Sequence, residues 1–208
     1  MKHIAESTVR RLSRYLRFLE DFEADGHQTI SSGELAAQGG TTSAQVRKDL
    51  SFFGSFGKRG LGYSVSELST RIRAILGLGR QWKVIIVGAG KIGAALAQYR
   101  GFRERGFQVV SVYDTDPERV GKLLDGVAVH DQTELEADIR ALKPDIALIA
   151  VPDDAAQALV DRIVQAGVRA ILNFAPARLQ VPSHVTLRDV NMALELEILS
   201  YELVNRDG

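Results

Sequence analysis

The chain has 208 residues, enough for one large domain or two small ones, and its 26 basic residues balance 26 acidic ones, so net charge alone names no partner. It holds no cysteine, which excludes a disulfide framework, a catalytic thiol and Cys-ligated zinc, and fits a reducing compartment. The first residues, Met1-Lys-His-Ile-Ala-Glu-Ser7, carry no apolar signal core, and no apolar run reaches membrane-spanning length, so a soluble, cytoplasmic protein is expected.

The neutral total conceals an asymmetry: residues 1–80 hold 12 Lys and Arg against 8 Asp and Glu, whereas residues 81–208 hold 14 against 18. A basic first part beside an acidic second part points to a polyanion met only by the first. Val9, Leu12, Leu16, Leu19 and Phe22 recur at threes and fours, an apolar helix stripe that Gly26 can stop. Arg10, Arg14 and Arg17 form a second row, which is either a solvated face or a contact with phosphate or the neighbouring domain. Ser31-x-x-Glu34 reads as a capping box, Gly39-Gly40 as a stop, and Thr42-x-x-Gln45 as the cap of a further helix running toward Phe53.

That is helix-turn-helix spacing. On the second helix Val46, Leu50 and Phe53 share the inner face. Ala44, Lys48 and Ser51 lie opposite, with Gln45 and Arg47 on the flanks, so the outer face can enter a major groove and reach base edges and phosphates. Phe56-Gly-Lys-Arg-Gly-Leu-Gly-Tyr63 then reads as a hairpin whose tip carries Lys58, Arg59 and Gly60, followed by a capped helix over 66–76. The pattern predicts a winged helix, its tip suited to a narrow minor groove. Phe52, Phe53 and Phe56 are assigned to the core, because duplex DNA offers no unstacked bases.

Residues 77–81 form a short linker. Val84 to Val87 is an unbroken apolar run, as in a strand buried on both faces, and it leads into Gly88-Ala89-Gly90-Lys91-Ile92-Gly93 and a helix. In that context the three glycines serve a tight turn, close approach of a pyrophosphate, and helix–strand packing, with the helix N-terminus facing the phosphate charge. Lys91 is read as phosphate-binding or simply exposed. A second strand over 107–113 ends in Asp114, 21 residues beyond Gly93, where a carboxylate bonds ribose hydroxyls and repels a 2′-phosphate; NAD(H) is expected rather than NADP(H).

Beyond it, Asp116-Pro-Glu-Arg is expected to open a short helix, with strands at 127–129, 146–151, 170–174 and 185–190 and helices at 134–142 and 155–166. Such alternation implies a doubly wound parallel sheet. Val151-Pro152 and Asn173-Phe174-Ala175-Pro176, at strand ends, should border the nicotinamide half, with Asn173 bonding the carboxamide and Phe174 or Pro176 walling the ring; ordinary strand-ending turns are the alternative. Over 191–205, Met192, Leu196, Leu199 and Leu203 form one stripe and Leu194, Ile198 and Tyr201 another nearly opposite it. Two stripes call for two packing bodies, either within one domain or with a second subunit through a swapped helix.

Of the four histidines, His3 and His27 lie in the basic part, and His130 and His184 lie in polar stretches. No Tyr-x-x-x-Lys pattern is present, and little chain remains for a substrate domain. The dinucleotide therefore reads as a signal. A small NAD-dependent oxidoreductase with a fused winged helix and a purely structural nucleotide fold are the alternatives.

Gln45-Val-Arg-Lys-Asp-Leu-Ser51, Gly54-x-x-Gly57, Lys58-Arg-Gly-Leu-Gly-Tyr63, the Gly88 to Gly93 loop, Asn173-Phe-Ala-Pro176 and Glu195-Leu-Glu-x-Leu-Ser200, in that order, resemble the bacterial redox-sensing transcriptional repressor Rex family over essentially the whole chain. The resemblance implies a winged-helix domain over 1–79, a Rossmann-type NAD(H)-binding domain over 80–190 with Asp116 beside Asp114 in its site, and a dimerisation helix over 191–208. It implies a homodimer with swapped C-terminal helices that binds palindromic operator DNA with NAD⁺ and leaves it with NADH. Arg17, Tyr99 and position 191 would form the switch. Some members have an aspartate at 191; here Asn191 can hydrogen-bond but cannot form an ion pair.

Overall fold

The computed structural model describes residues 4–54 and 62–206. The chain divides into two compact units, Met1–Arg80 and Gln81–Gly208. In the first, α1 (Glu6–Ala24) buries Leu12, Tyr15, Leu16 and Leu19. Val9, expected in the same stripe, is exposed, and Thr8 and Tyr15 take the inner positions instead. Gly26, at φ +81°, follows the helix end. The next helices begin and end as their caps dictate. Ser31 and Glu34 bond each other's backbone N–H to open α2 (Ser32–Gly39), left-handed Gly40 closes it, and the Thr42 hydroxyl accepts from Gln45 N to open α3 (Ser43–Ser51).

A two-residue pairing of β1 (Thr29–Ile30) with β2 (Tyr63–Ser64) is antiparallel, and α4 (Val65–Ile75) follows with Ser64 as its cap, starting one residue ahead of the expected helix. The pairing arises because Tyr63 and Ile30 are buried in the same core as α1 to α4. The expected wing tip, with Phe56, Lys58, Arg59 and Gly60, lies outside the described residues.

The second unit is built on a seven-stranded sheet in the order β5-β6-β4-β3-β7-β8-β9. Its strands are β3 (Trp82–Val87), β4 (Phe107–Asp114), β5 (Leu123–Leu124), β6 (Val127–Asp131), β7 (Ile146–Ile149), β8 (Ala170–Asn173) and β9 (Thr186–Asp189). All neighbours pair parallel except β5 with β6. On one face α7 (Leu135–Leu142) and α8 (Asp153–Ala166) pack against Ile85, Val87, Ala147, Ile149 and Ile171. On the other, α5 (Lys91–Ala97) and α6 (Arg100–Glu104) meet Val84, Ile86 and Val112.

An apolar groove of about 350 Å³, floored by Val84, Ile146, Leu148 and Leu172 and flanked by Phe102 and Phe107, stays open beside them. The last helix, α9 (Met192–Val204), has no buried residue: Leu196 and Leu203 are each 67 % exposed, and Met192, Leu199 and Tyr201 are exposed too. The two-striped pattern is therefore not satisfied by packing within its own unit.

The expected helix at Asp116 is instead a turn. The Asp116 side chain accepts from Glu118 N, its carbonyl accepts from Arg119 N and Val120 N, and Gly121 at φ +83° then leads the chain away. Gly121 N donates to Val129 O, so pairing with β6 captures the segment before a second helical turn can form. β1, β5 and α6 were not expected from sequence. Among the described residues no helix is long and apolar enough to cross a membrane.

Among the described residues, the first unit holds one fully buried charge. Asp49, on α3, accepts from Arg11 Nε at 2.6 Å and Nη2 at 2.8 Å, from Gln45 Nε2 at 2.8 Å, from the Tyr15 hydroxyl at 3.0 Å and from the Thr8 hydroxyl at 3.3 Å. Four of these five bonds come from α1, so one carboxylate fixes α3 against α1. Burial alone would raise its pKa; the hydrogen bonds from Arg11, Gln45 and Tyr15 and the charge of Arg11 outweigh burial and hold it below the ordinary 3.8. A depressed folded value means that the contribution is complete above the unfolded pKa and lost as pH falls through the folded one. Asp49→Asn should therefore cost about 1.5–3 kcal/mol at pH 7. In urea melts followed by circular dichroism, the gap between variant and wild type should narrow as pH is lowered below about 4.

Candidate functional site

Strand β3 ends at the turn that makes the first cavity. Gly88, at φ +99°, has no room for a side chain, since a Cβ there would lie 2.3 Å from Ala150 O. Gly93 is tighter still: its Cβ would lie 1.7 Å from Gly88 O. These two positions let α5 start directly over the strand end, with Gly90 as its N-cap. A cavity of about 520 Å³ results, lined by Gly88, Gly90, Lys91 and Ile92 on one side and by Asp114, Asp116 and Arg119 on the other, with Val151 and Pro152 beside the loop. Lys91 and Ile92 are exposed and Ala89 is buried, so the loop offers backbone, a cation and the Ile92 side chain.

Asp114 is 6 % exposed and heavily bonded. Its Oδ2 accepts from Ala89 N at 2.5 Å and from Arg119 Nη1 at 3.2 Å, and Oδ1 accepts from Asp116 N at 2.8 Å. Burial opposes ionisation, but the two backbone N–H groups and Arg119 prevail and hold the carboxyl below its ordinary range. Oδ1 keeps a lone pair for one further donor. Arg119 also pairs with Asp116 at 3.2 Å, so two carboxylates face one guanidinium and this end of the cavity is net negative. Arg119 and Gln132 were not among the expected lining residues. The Asp116-Pro-Glu-Arg119 stretch, expected to open a helix, turns instead and brings Arg119 to both carboxylates.

A second cavity of about 510 Å³ shares Ile92 with the first and is lined by Phe174, Ala175, Pro176 and Ala177, with Asp189 from the end of β9 and with Asn191 and Met192 at the start of α9. Phe174, Ala175 and Pro176 reach this cavity. Asn173 does not: it is 1 % exposed, its Nδ2 donates to Ala175 O, Ala177 O and Asp189 Oδ1, and its Oδ1 accepts from Ala175 N. The loop consumes its hydrogen-bonding capacity, so Asn173 shapes the wall and has no donor left for a carboxamide.

In the first unit Ala44, Arg47, Lys48 and Ser51 are exposed on α3, while Val46 and Leu50 are buried and Phe53 is half-buried. Arg47 donates to Ser32 Oγ at 3.0 Å. Gln45 is half-buried and tied to Asp49, not a free flank residue as the helical spacing implied. Arg14 and Arg17 are exposed on α1, and Arg10 pairs with Glu6 one turn away. Tyr99 is exposed and meets the Phe102 ring edge-on, and Asn191 caps α9 by accepting from Ala193 N and Leu194 N. His130 Nδ1 lies 3.3 Å from Glu134 Oε2 on a partly exposed face.

The glycine geometry separates two substitutions. Gly93→Ala should cost several kcal/mol or prevent soluble expression, because backbone must shift to admit the methyl. Gly90→Ala, whose Cβ would meet only Arg119 at 3.9 Å, should melt close to wild type in differential scanning calorimetry.

Comparison with known proteins agrees with both units. Residues 3–51 match the family model "Putative DNA-binding protein N-terminus", and residues 79–177 match "CoA binding domain". The chain is 48 % identical over 203 residues to the redox-sensing transcriptional repressor Rex of Desulfitobacterium hafniense, covering 98 % of this chain and 97 % of that one. It is 47 % identical to the Rex protein of Streptomyces coelicolor, covering 99 % of this chain and 80 % of that one. Among solved structures it is similar to RSP, described as a Rex-family repressor. The RSP complex with β-NAD⁺ and operator DNA matches at TM-score 0.94 and 39 % identity, over all of this chain and 95 % of that one. The complex with β-NADH matches at TM-score 0.91 and 37 % identity, over all of this chain and 97 % of that one. The chain belongs to the Rex family of redox-sensing transcriptional repressors.

Proposed function

We propose that this chain represses transcription as a homodimer that binds palindromic operator DNA when it is free or holds NAD⁺ and releases it when NADH occupies the second unit. The observation that carries the reading is the presence, in one chain, of a helix-turn-helix and a glycine-loop cavity ending in a buried carboxylate, in a family whose member RSP has been crystallised with NAD⁺ and operator and with NADH. Such a protein works where the chromosome is, in the cytoplasm.

Gly88, Ala89, Gly90, Lys91, Ile92 and Gly93 take the pyrophosphate and Asp114 takes a ribose hydroxyl through Oδ1, with Asp116 and Arg119 alongside. The net negative ribose end disfavours both the 2′-phosphate of NADP(H) and the 3′-phosphate of coenzyme A. Phe174, Ala175 and Pro176, with Val151 and Pro152 nearer the loop, wall the nicotinamide. An apolar wall favours the neutral reduced ring over the cationic oxidised one. The family match to a CoA-binding model is thus read as shared fold.

Helix α9, exposed and carrying apolar stripes on two nearly opposite faces, fits the open groove of a second copy, which gives the swapped dimer a physical cause. Ala44, Arg47, Lys48 and Ser51, with Lys58, Arg59 and Gly60 of the 55–61 segment, face DNA. Arg17, Tyr99 and Asn191 form the switch; Asn191 already caps α9, so its exchange of partners would be a neutral hydrogen bond rather than an ion pair.

DNA retardation at fixed salt tests the reading. NADH should release operator and NAD⁺ should not, while equal binding with either coenzyme would overturn it. The Gly90→Ala protein, folded but crowded at the pyrophosphate, should hold operator at NADH concentrations that release wild type. Leu196→Asp/Leu199→Asp should sediment as a monomer and lose operator affinity by at least about tenfold, since one half-site replaces two.

A further inference from the structure

Gln45 is the third residue of α3, within the N-terminal part of a recognition helix that meets base edges. Free glutamine pairs bidentately with adenine, using Nε2 as donor and Oε1 as acceptor. Here the carboxamide is not free. A carboxylate only accepts, so the group 2.8 Å from Asp49 Oδ1 must be the amide nitrogen. Asp49 is wholly buried, so that nitrogen is drawn inward, and among the described residues the Oε1 oxygen has no partner. The carboxylate itself cannot follow Gln45 outward, because the Arg11 fork, Tyr15 and Thr8 hold it to α1.

We infer that Asp49 is a positioning residue for sequence recognition: it locks Gln45 as a pure hydrogen-bond acceptor aimed at one base pair of each half-site. In the major groove the base donors are adenine N6 and cytosine N4, whereas guanine O6 and thymine O4 are acceptors. A locked acceptor therefore takes adenine and cytosine alike on one strand and rejects guanine and thymine, a rule that bidentate glutamine would not give. Arg47 and Lys48 hold phosphate and add affinity without this discrimination. The inference rests on the repressor reading above.

The test is selection from a duplex library of palindromes randomised over both half-sites, with bound DNA sequenced. Wild type should enrich adenine and cytosine over guanine and thymine by about tenfold at one position per half-site, the worth of one good hydrogen bond. Gln45→Ala should lose preference at that position alone. The charge-neutral variant Arg11→Met/Tyr15→Phe/Asp49→Leu replaces the buried pair by apolar groups, an exchange that folded proteins tolerate. It should bind DNA with Gln45 unlocked, the position turning adenine-selective or unselective. Folding of each variant is read from its thermal transition, and Gln45→Ala, which leaves Asp49 its four bonds from α1, decides the matter if the triple variant does not fold. A wild-type palindrome with no adenine-or-cytosine position, or the same rule surviving in Gln45→Ala or in the folded triple variant, overturns the inference and leaves the repressor reading standing. Failure of wild type to enrich any palindrome overturns the repressor reading, and the inference falls with it.

Discussion

Helix α5 reaches the end of β3 only because two positions carry no side chain. With Gly93 pressed on the carbonyl of Gly88, and Gly88 on the carbonyl of Ala150, the turn, the helix start and the end of β7 form one rigid corner. A rigid corner is what a phosphate site needs, since backbone N–H groups bind an anion well only when no reorganisation is required. Asp114 extends the corner to β4. By accepting from Ala89 N it ties the glycine loop to the neighbouring strand, so the proposed pyrophosphate and ribose subsites share one framework. The carboxylate is buried and yet ionised because backbone donors and Arg119 outweigh its desolvation.

The adenosine end is therefore unable to tell oxidised from reduced coenzyme, because the two forms are identical there. With the coenzyme held as proposed, discrimination falls to the second cavity, whose wall is shared between the β8 loop and the first residues of α9. Phe174 to Pro176 supply the apolar side, Met192 comes from α9, and Asn191 caps that helix. In a swapped dimer the same helix would lie across the partner's sheet. The residues that sense the ring would then be continuous with the element joining the subunits, which gives the signal a short path.

Much of this was legible in the sequence because it depends on local rules. The capping box at Ser31, the stop at Gly40 and the cap at Thr42 are set by backbone hydrogen bonds within a few residues, and the glycine loop by steric exclusion. What could not be read depended on contacts distant in sequence. Periodicity placed Val9 in the stripe, but Thr8 and Tyr15 are turned inward by Asp49, some 40 positions away. Asp116 lost its helix to pairing of Gly121 with β6. Asn173 looked like a ligand donor because it ends a strand beside the expected site, and only the course of residues 175–189 shows that its amide is spent internally. Gln45 meets the same limit at one remove: its partner Asp49 is one turn along, but Asp49 is held inward by Thr8, Arg11 and Tyr15, which are 34 to 41 positions away.

The energetics of the proposed switch are modest, which suits a construction of this kind. A hundredfold change in operator affinity corresponds to about 2.7 kcal/mol, no more than one or two charge-assisted hydrogen bonds, and linkage requires DNA to weaken NADH binding by the same factor. Neither unit need unfold or repack to supply it. Because Asp49 makes α3 and α1 one body, any displacement of the first unit carries the recognition helix with it instead of being absorbed between helices. A bivalent grip on two half-sites converts a few ångströms of such displacement into loss of simultaneous binding. The buried carboxylate in the basic unit and the paired glycines in the acidic one thus serve one end: each keeps its unit stiff, so that the free energy of distinguishing two coenzyme rings is spent on moving the units and not on deforming them.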